Sequence, residues 1–204
     1  MEDLLTYLIT LIMSGFGIWY AYKIFKGSTK PALSTWIIMF TGTGLSLITY
    51  LLASNWEFRP GILNILDVSV TVIIIIATLL WSKAKVKFRT FEKWYLVIAG
   101  LITLFWILTK NPFGANLLIQ ALILIGYFPT IQKLVTEKQN TESFSAWLIA
   151  YSAGILAIFP AMKSSSILPI IYVGRTLVMQ AIIISLMIYY EKFFAFRKFK
   201  KQLK

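Results

Sequence analysis

The segment GYFPTIQKLVTEKQNTESFSAWLIAYSAG, residues 126–154, reads as the end of one apolar helix, a short polar turn containing Lys138, Asn140 and Ser143, and the start of a second apolar helix at Phe144. Its counterpart lies upstream. Shifting the chain against itself by 111 residues sets Gly15 on Gly126, Phe16 on Tyr127, Ser34 on Ser145, Trp36 on Trp147, Ile38 on Ile149, Phe40 on Tyr151 and Leu45 on Leu156, with no gap. The chain therefore reads as two copies of one unit.

Hydrophobic residues make up 58% of the chain and charged residues 14%, whereas a soluble domain carries about a quarter charged. Apolar runs of about 20 residues suit helices crossing a hydrocarbon layer of roughly 30 Å. Open strands are excluded from such a layer because every backbone group needs an internal partner, and the alternation of a β-barrel is absent. The expected fold is an all-α integral membrane protein with seven transmembrane helices: Leu4 to Tyr22, Ser34 to Ala53, Gly61 to Trp81, Trp94 to Leu108, Gly114 to Leu134, Phe144 to Met162 and Ile167 to Tyr190. Met1-Glu2-Asp3 lacks the basic start of a signal peptide, so the first run is expected to stay as a helix.

The formal charge is +12, but Lys and Arg fall in the gaps between apolar runs, which points to topology and not to nucleic acid. One side receives Lys23, Lys26, Lys30, Lys83, Lys85, Lys87, Arg89, Lys93, Lys133, Lys138 and the six basic residues from Lys192 to Lys204. The other holds Arg59, Lys110 and Lys163, and Arg175 falls within a span. The positive-inside rule then places the N-terminus outside and the C-terminus in the cytoplasm. Each repeat has three spans, an odd number, and a single fourth span joins them, so the second copy enters from the same side as the first. The expected plan is 3+1+3: parallel three-helix bundles at residues 4–81 and 113–192, a linker helix within 82–112, and a basic cytoplasmic tail at 193–204. Parallel repeats of this kind are a transporter architecture with the substrate near the midplane. The tail is read as a topology anchor or a contact for anionic lipid headgroups.

Cysteine and histidine are both absent, which removes disulfides, thiol nucleophiles and the commonest general base. There are no paired carboxylates either, so no enzyme is expected and no cofactor or metal is implied. A retinal-type receptor needs a lysine in its last span, and residues 167–190 contain none. A non-transporting receptor or scaffold, and a channel, stay open as alternatives. The expected partners are a small solute and membrane lipid, with homo-oligomerisation left open.

Pro129 has no backbone N–H and clashes with the preceding turn, so it kinks or weakens the fifth helix. The kink is either static packing geometry or a hinge. Pro129-Thr130-Ile131-Gln132, followed by the polar turn and Ser145-Ala146-Trp147, resembles the PQ-loop superfamily, which includes the SWEET and SemiSWEET sugar transporters and the cystinosin-like amino-acid transporters. The motif departs from that pattern: two residues separate Pro129 from Gln132, and the first copy has Ile18 and Ala21 at the matching positions. The resemblance implies that Pro129 and Gln132 serve as a hinge or gate and that the two bundles rock about a central site.

Polar side chains inside apolar helices face a bundle interior or a wet cavity. Asn64, Asp67 and Thr71 share one face of the third span, Asn116 and Gln120 are one turn apart on the fifth, and Arg175 and Gln180 lie in the seventh. The 111-residue register sets Arg175 at the position of Asn64. The candidate substrate-binding residues are Asn64, Asp67, Gln120, Tyr127, Trp147 and Arg175. In SWEET-like proteins the sugar site uses an asparagine on the third span, matched by Asn64, and another on the seventh, where Arg175 stands instead. A guanidinium favours carboxylate or phosphate, which moves the expected solute from a sugar toward an anionic or zwitterionic metabolite such as an amino acid. The competing reading pairs Arg175 with Asp67 as an internal ion pair that fixes packing. Asp67 is also the candidate carrier of a coupling proton. Trp147, on one face with Tyr151 and Gly154, is either helix packing or a wall of the site.

Overall fold

The computed structural model describes residues 2–28, 31, 33–82, 88–137 and 144–202. Lys30, Lys83, Lys85, Lys87, Lys138, Asn140, Ser143 and Lys204, named above, lie outside the described residues. The described elements are all helical: α1 Glu2–Phe25, α2 Leu33–Ala53, α3 Ile62–Trp81, α4 Thr90–Thr109, α5 Pro112–Gly126, α6 Phe128–Glu137, α7 Phe144–Ala161 and α8 Leu168–Gln202. Seven helical stretches are long and apolar enough to cross a membrane, with α5 and α6 together supplying one of them. Large apolar side chains such as Leu11, Leu108 and Val178 point outward and are exposed. A chain with so apolar an exterior fits hydrocarbon, not water.

Local chemistry sets the helix ends. Asn111 accepts a hydrogen bond from the Gly114 N–H at 2.9 Å, and Pro112 occupies the first turn of α5, where its missing N–H costs nothing. At the start of α4, Glu92 Oε2 accepts from the Arg89 N–H at 2.8 Å. Its other oxygen accepts from Ser34 Oγ at 3.0 Å and Thr35 Oγ1 at 3.3 Å, which ties α4 to the first turn of α2. This buried carboxylate explains why α4 begins at Thr90, a turn earlier than the apolar pattern indicates. Lys110 stops the helix in the left-handed region at φ 52°.

The fifth span, which Pro129 was expected to kink or weaken, is divided at Tyr127. Pro129 gives no N–H to the Ile125 carbonyl, and the Tyr127 N–H turns back to the Leu124 carbonyl at 3.2 Å. The short amphipathic α6 follows. α8 also departs from expectation, continuing as helix to Gln202 through the basic segment.

Within the first half, α3 packs against both α1 and α2; within the second, α8 packs against α7, α5 and α6. Across the halves, α1 meets α7 and α2 meets α5, while α4 lies against α5 and α2. One apolar core gathers Ile9, Met13, Val70, Ile74, Ala157 and Val173, and a second gathers Ile38, Tyr95, Ile119 and Ile123. Gly42 permits the second: a Cβ there meets the Tyr95 hydroxyl and comes within 2.9 Å of Ile123 Cγ1, whereas a Cβ at Gly44 meets nothing within 4 Å. Overpacking of this kind costs about 1–3 kcal/mol. Gly42→Ala is therefore expected to lower the thermal midpoint of the detergent-solubilised protein, and Gly44→Ala to leave it unchanged or slightly raised.

Candidate functional site

A hydrogen-bonded lattice links α2, α3, α5 and α8 in the interior. Ser46 on α2 is its centre. Its Oγ accepts from Gln120 Nε2 at 2.8 Å and donates to the Asn64 amide oxygen at 3.0 Å, while the Asn64 nitrogen donates to the Thr43 carbonyl at 3.1 Å. This amide orientation satisfies both ends of the side chain. Asn116 Nδ2 donates to the Ser46 carbonyl at 2.7 Å and to Thr49 Oγ1 at 2.9 Å, and its oxygen accepts from Gln120 Nε2 at 3.0 Å. With each buried partner worth a net ~1 kcal/mol, and an orphaned one costing about 1–3 kcal/mol, the lattice is sensitive to single removals.

Arg175 joins this lattice from α8 by donating from Nε to Gln120 Oε1 at 2.9 Å. Its guanidinium carbon lies 4.8 Å from the centroid of the Tyr172 ring, a cation–π contact. The Tyr172 hydroxyl donates to Asp67 Oδ2 at 2.6 Å. Tyr172 thus stands between the two charges. The direct Arg175–Asp67 ion pair considered from the sequence is not formed; ion pairs such as Arg59–Asp3 and Arg89–Glu92 lie elsewhere.

The candidate residues divide accordingly. Asn64, Asp67, Gln120 and Arg175 are brought together, directly or through Ser46 and Tyr172. Tyr127 neighbours Arg175 and Thr176 at the α5–α6 break. Trp147 instead packs with Tyr127, Ile131 and Leu134, and its repeat partner Trp36 packs with Phe16 and Tyr20, which the register sets on Tyr127 and Ile131. The two tryptophans fill equivalent packing positions, so the helix-packing reading of Trp147 is the one the contacts favour. Gln132 is exposed on α6, and the Pro129 side chain lies outside the described part. Ser46 and Tyr172 were not singled out in the sequence. Tyr172 had a usable signal, because it sits one turn before Arg175 on the same face.

Beside the lattice is a cavity of about 10 Å³ lined by Ser46, Asn64, Gln120 and Tyr172 beneath Pro60 and Gly61. It has room for roughly one water molecule. The loops above it are tied together. Tyr50 donates from its hydroxyl to the Glu57 carbonyl at 2.6 Å, Ser164 Oγ donates to Glu57 Oε2 at 2.8 Å, and Ser165 Oγ donates to Glu57 Oε1. Glu57 comes from the first half and the serines from the second.

No protein family, curated protein or solved structure matches this chain. What the site does must be read from its own geometry.

The hydrogen bonds from Ser165 and then Ser164 hold the Glu57 carboxyl below its ordinary value of 4.5. A carboxyl depressed on folding contributes its strap above its unfolded pKa and loses it as pH falls through the folded one. The protection of the backbone amides at residues 162–166, relative to their intrinsic exchange, is therefore expected to be highest near neutral pH and to fall below about pH 4.5. In Glu57→Gln this acid-induced fall in protection is expected to disappear.

Proposed function

We propose that the chain is a membrane transporter for a small anionic or zwitterionic solute, with its site at the Asp67, Tyr172, Arg175 and Gln120 cluster between the two repeats. The observation that carries this reading is a guanidinium placed inside an apolar helical assembly with a neutral glutamine, not a carboxylate, as its hydrogen-bond partner. An intramembrane charge is costly and marks a substrate or ion path by default. Arg175 accordingly supplies the charge for a solute anion, and Asp67, kept apart by Tyr172, supplies the acceptor for a cationic group.

The 3+1+3 plan belongs to the same reading. Its support is the exchange of contacts under the 111-residue register: α2 maps onto α7 and α1 onto α5 with α6, so the α1–α7 and α2–α5 contacts are equivalents. Two units related in this way can rock about a fixed central site. The Glu57 strap then closes the path at one face, and the break at Tyr127 is the hinge toward the other. The distribution of lysine and arginine supports an outward N-terminus and a cytoplasmic C-terminus. The PQ-loop likeness of Pro129 and Gln132 is part of this proposal, with the solute shifted from a neutral sugar by Arg175.

Arg175→Gln retains a hydrogen-bonding side chain and removes the charge. Losing one member of a buried charge pair costs about 2–5 kcal/mol, at least ~30-fold in affinity. Uptake of the anionic solute into proteoliposomes is expected to fall to background, with gel-filtration behaviour and helical circular dichroism preserved. Unchanged uptake would remove Arg175 from the site. Saturable counterflow supports a carrier, and flux that rises linearly with solute supports a channel instead.

A further inference from the structure

A second cavity, of about 300 Å³, lies between α1, the loop joining α2 to α3, and the end of α7. Thr6, Glu57, Arg59 and Lys163 line it, and Pro60 lines both this cavity and the smaller one beside Ser46. Small-molecule sites begin at about this size, whereas the interior cavity of about 10 Å³ holds roughly one water molecule. In this conformation a small solute therefore fits on the loop side of Pro60 and not within the lattice.

The polar groups of this cavity are arranged unevenly. The Thr6 hydroxyl is buried and has no hydrogen-bond partner among the described residues. It departs from a habit that Thr10, Thr71 and Thr176 keep, each donating to the carbonyl four residues back at 2.8, 2.6 and 2.8 Å. Arg59 reaches the same face of α1 through an ion pair at 3.1 Å with Asp3, three residues before Thr6. Both members of that pair are exposed, so it is weak and open to exchange for another carboxylate. Glu57 is engaged in its strap with Ser164 and Ser165. Two cationic side chains and one carboxylate thus line the cavity, a net charge of +1.

We infer that this cavity is an entry subsite for a solute carboxylate, with Arg59 exchanging Asp3 for the solute and the Thr6 hydroxyl donating to it. A guanidinium matches a carboxylate in charge and shape. The single net positive charge suits a monoanion, and an uncharged sugar forgoes the charge-assisted bond. Pro60, as the shared wall, separates the waiting solute from Asn64 and Gln120. The place of this subsite on a solute path rests on the transporter reading, whereas binding to it is measured apart from flux.

The chain has no cysteine, so Phe58→Cys, in the cavity wall, supplies a single thiol. Its modification by the uncharged reagent methyl methanethiosulfonate is followed in the full chain in detergent micelles, with acetate, benzoate and L-alanine as probes and acetamide and benzamide as controls. At least one carboxylate is expected to slow the reaction saturably, and the amides to leave it unchanged. In the Phe58→Cys background, Arg59→Gln and Thr6→Val are each expected to weaken that protection about tenfold, as for loss of one hydrogen bond to a charged group, and Asp3→Asn to strengthen it. Arg59 is exposed, so an unaltered gel-filtration profile is expected to accompany its loss of binding. Equal protection in Thr6→Val and its parent overturns the subsite. Slowing by phosphatidylglycerol added to the micelles, and by none of the carboxylates, assigns the cavity to a lipid phosphate and also overturns it. Saturable proteoliposome flux with no carboxylate protection overturns the subsite and leaves the transporter reading intact. Protection that needs Thr6 and Arg59 but comes with no flux upholds the subsite and overturns transport instead.

Discussion

The organising constraint is the Arg175 guanidinium inside helices whose outer surfaces are apolar. A charge taken out of water and left unpaired costs several kcal/mol, so the surrounding groups are arranged around it. Gln120 offers Arg175 its carbonyl oxygen, which commits the Gln120 amide nitrogen to acceptors elsewhere. Those acceptors are Ser46 and Asn116. Asn116 is in turn anchored on the Ser46 carbonyl and Thr49. One charge on α8 thereby determines which faces of α5 and α2 must meet, and Asn64 joins α3 to the same centre.

The two repeats share a backbone pattern and differ in chemistry. Under the register, Ser46 corresponds to Ala157, Gln120 to Ile9 and Asn64 to Arg175. The α2–α5 contact is therefore polar and hydrogen-bonded, whereas its equivalent, α1 against α7, is built from Ile9, Met13, Ala153 and Ala157. Polarity is thus concentrated on one of the two interfaces that the register pairs.

The helices were legible because apolar runs of this length have few alternatives, and the break before Pro129 was legible because proline removes a specific donor. The true start of α4 was not. It depends on Glu92 meeting Ser34 and Thr35, which lie 57 to 58 residues earlier, and no local pattern predicts such a contact. Within the site, Asn64, Asp67, Gln120 and Arg175 stood out because charges and amides are rare in apolar helices. Ser46 did not, because hydroxyls in such helices commonly bond back to the preceding turn, as Thr41, Thr43 and Thr78 do here. Tyr172 was concealed for a related reason: a tyrosine in an apolar run reads as packing until its hydroxyl is located.

Under the proposed transport reading, the unequal interfaces also set how the halves would move relative to one another. A shift along α1–α7 slides Ala153 and Ala157 past aliphatic side chains such as Ile9 and Met13, where the cost is mainly repacking. A shift along α2–α5 separates Ser46 from Gln120 and leaves amide groups unsatisfied in a dry interior. Relative motion is therefore cheapest when α2–α5 acts as the pivot and α1–α7 as the sliding surface. Arg175 lies at that pivot, held by Gln120, where small displacements of α8 against α5 would pull this hydrogen bond apart.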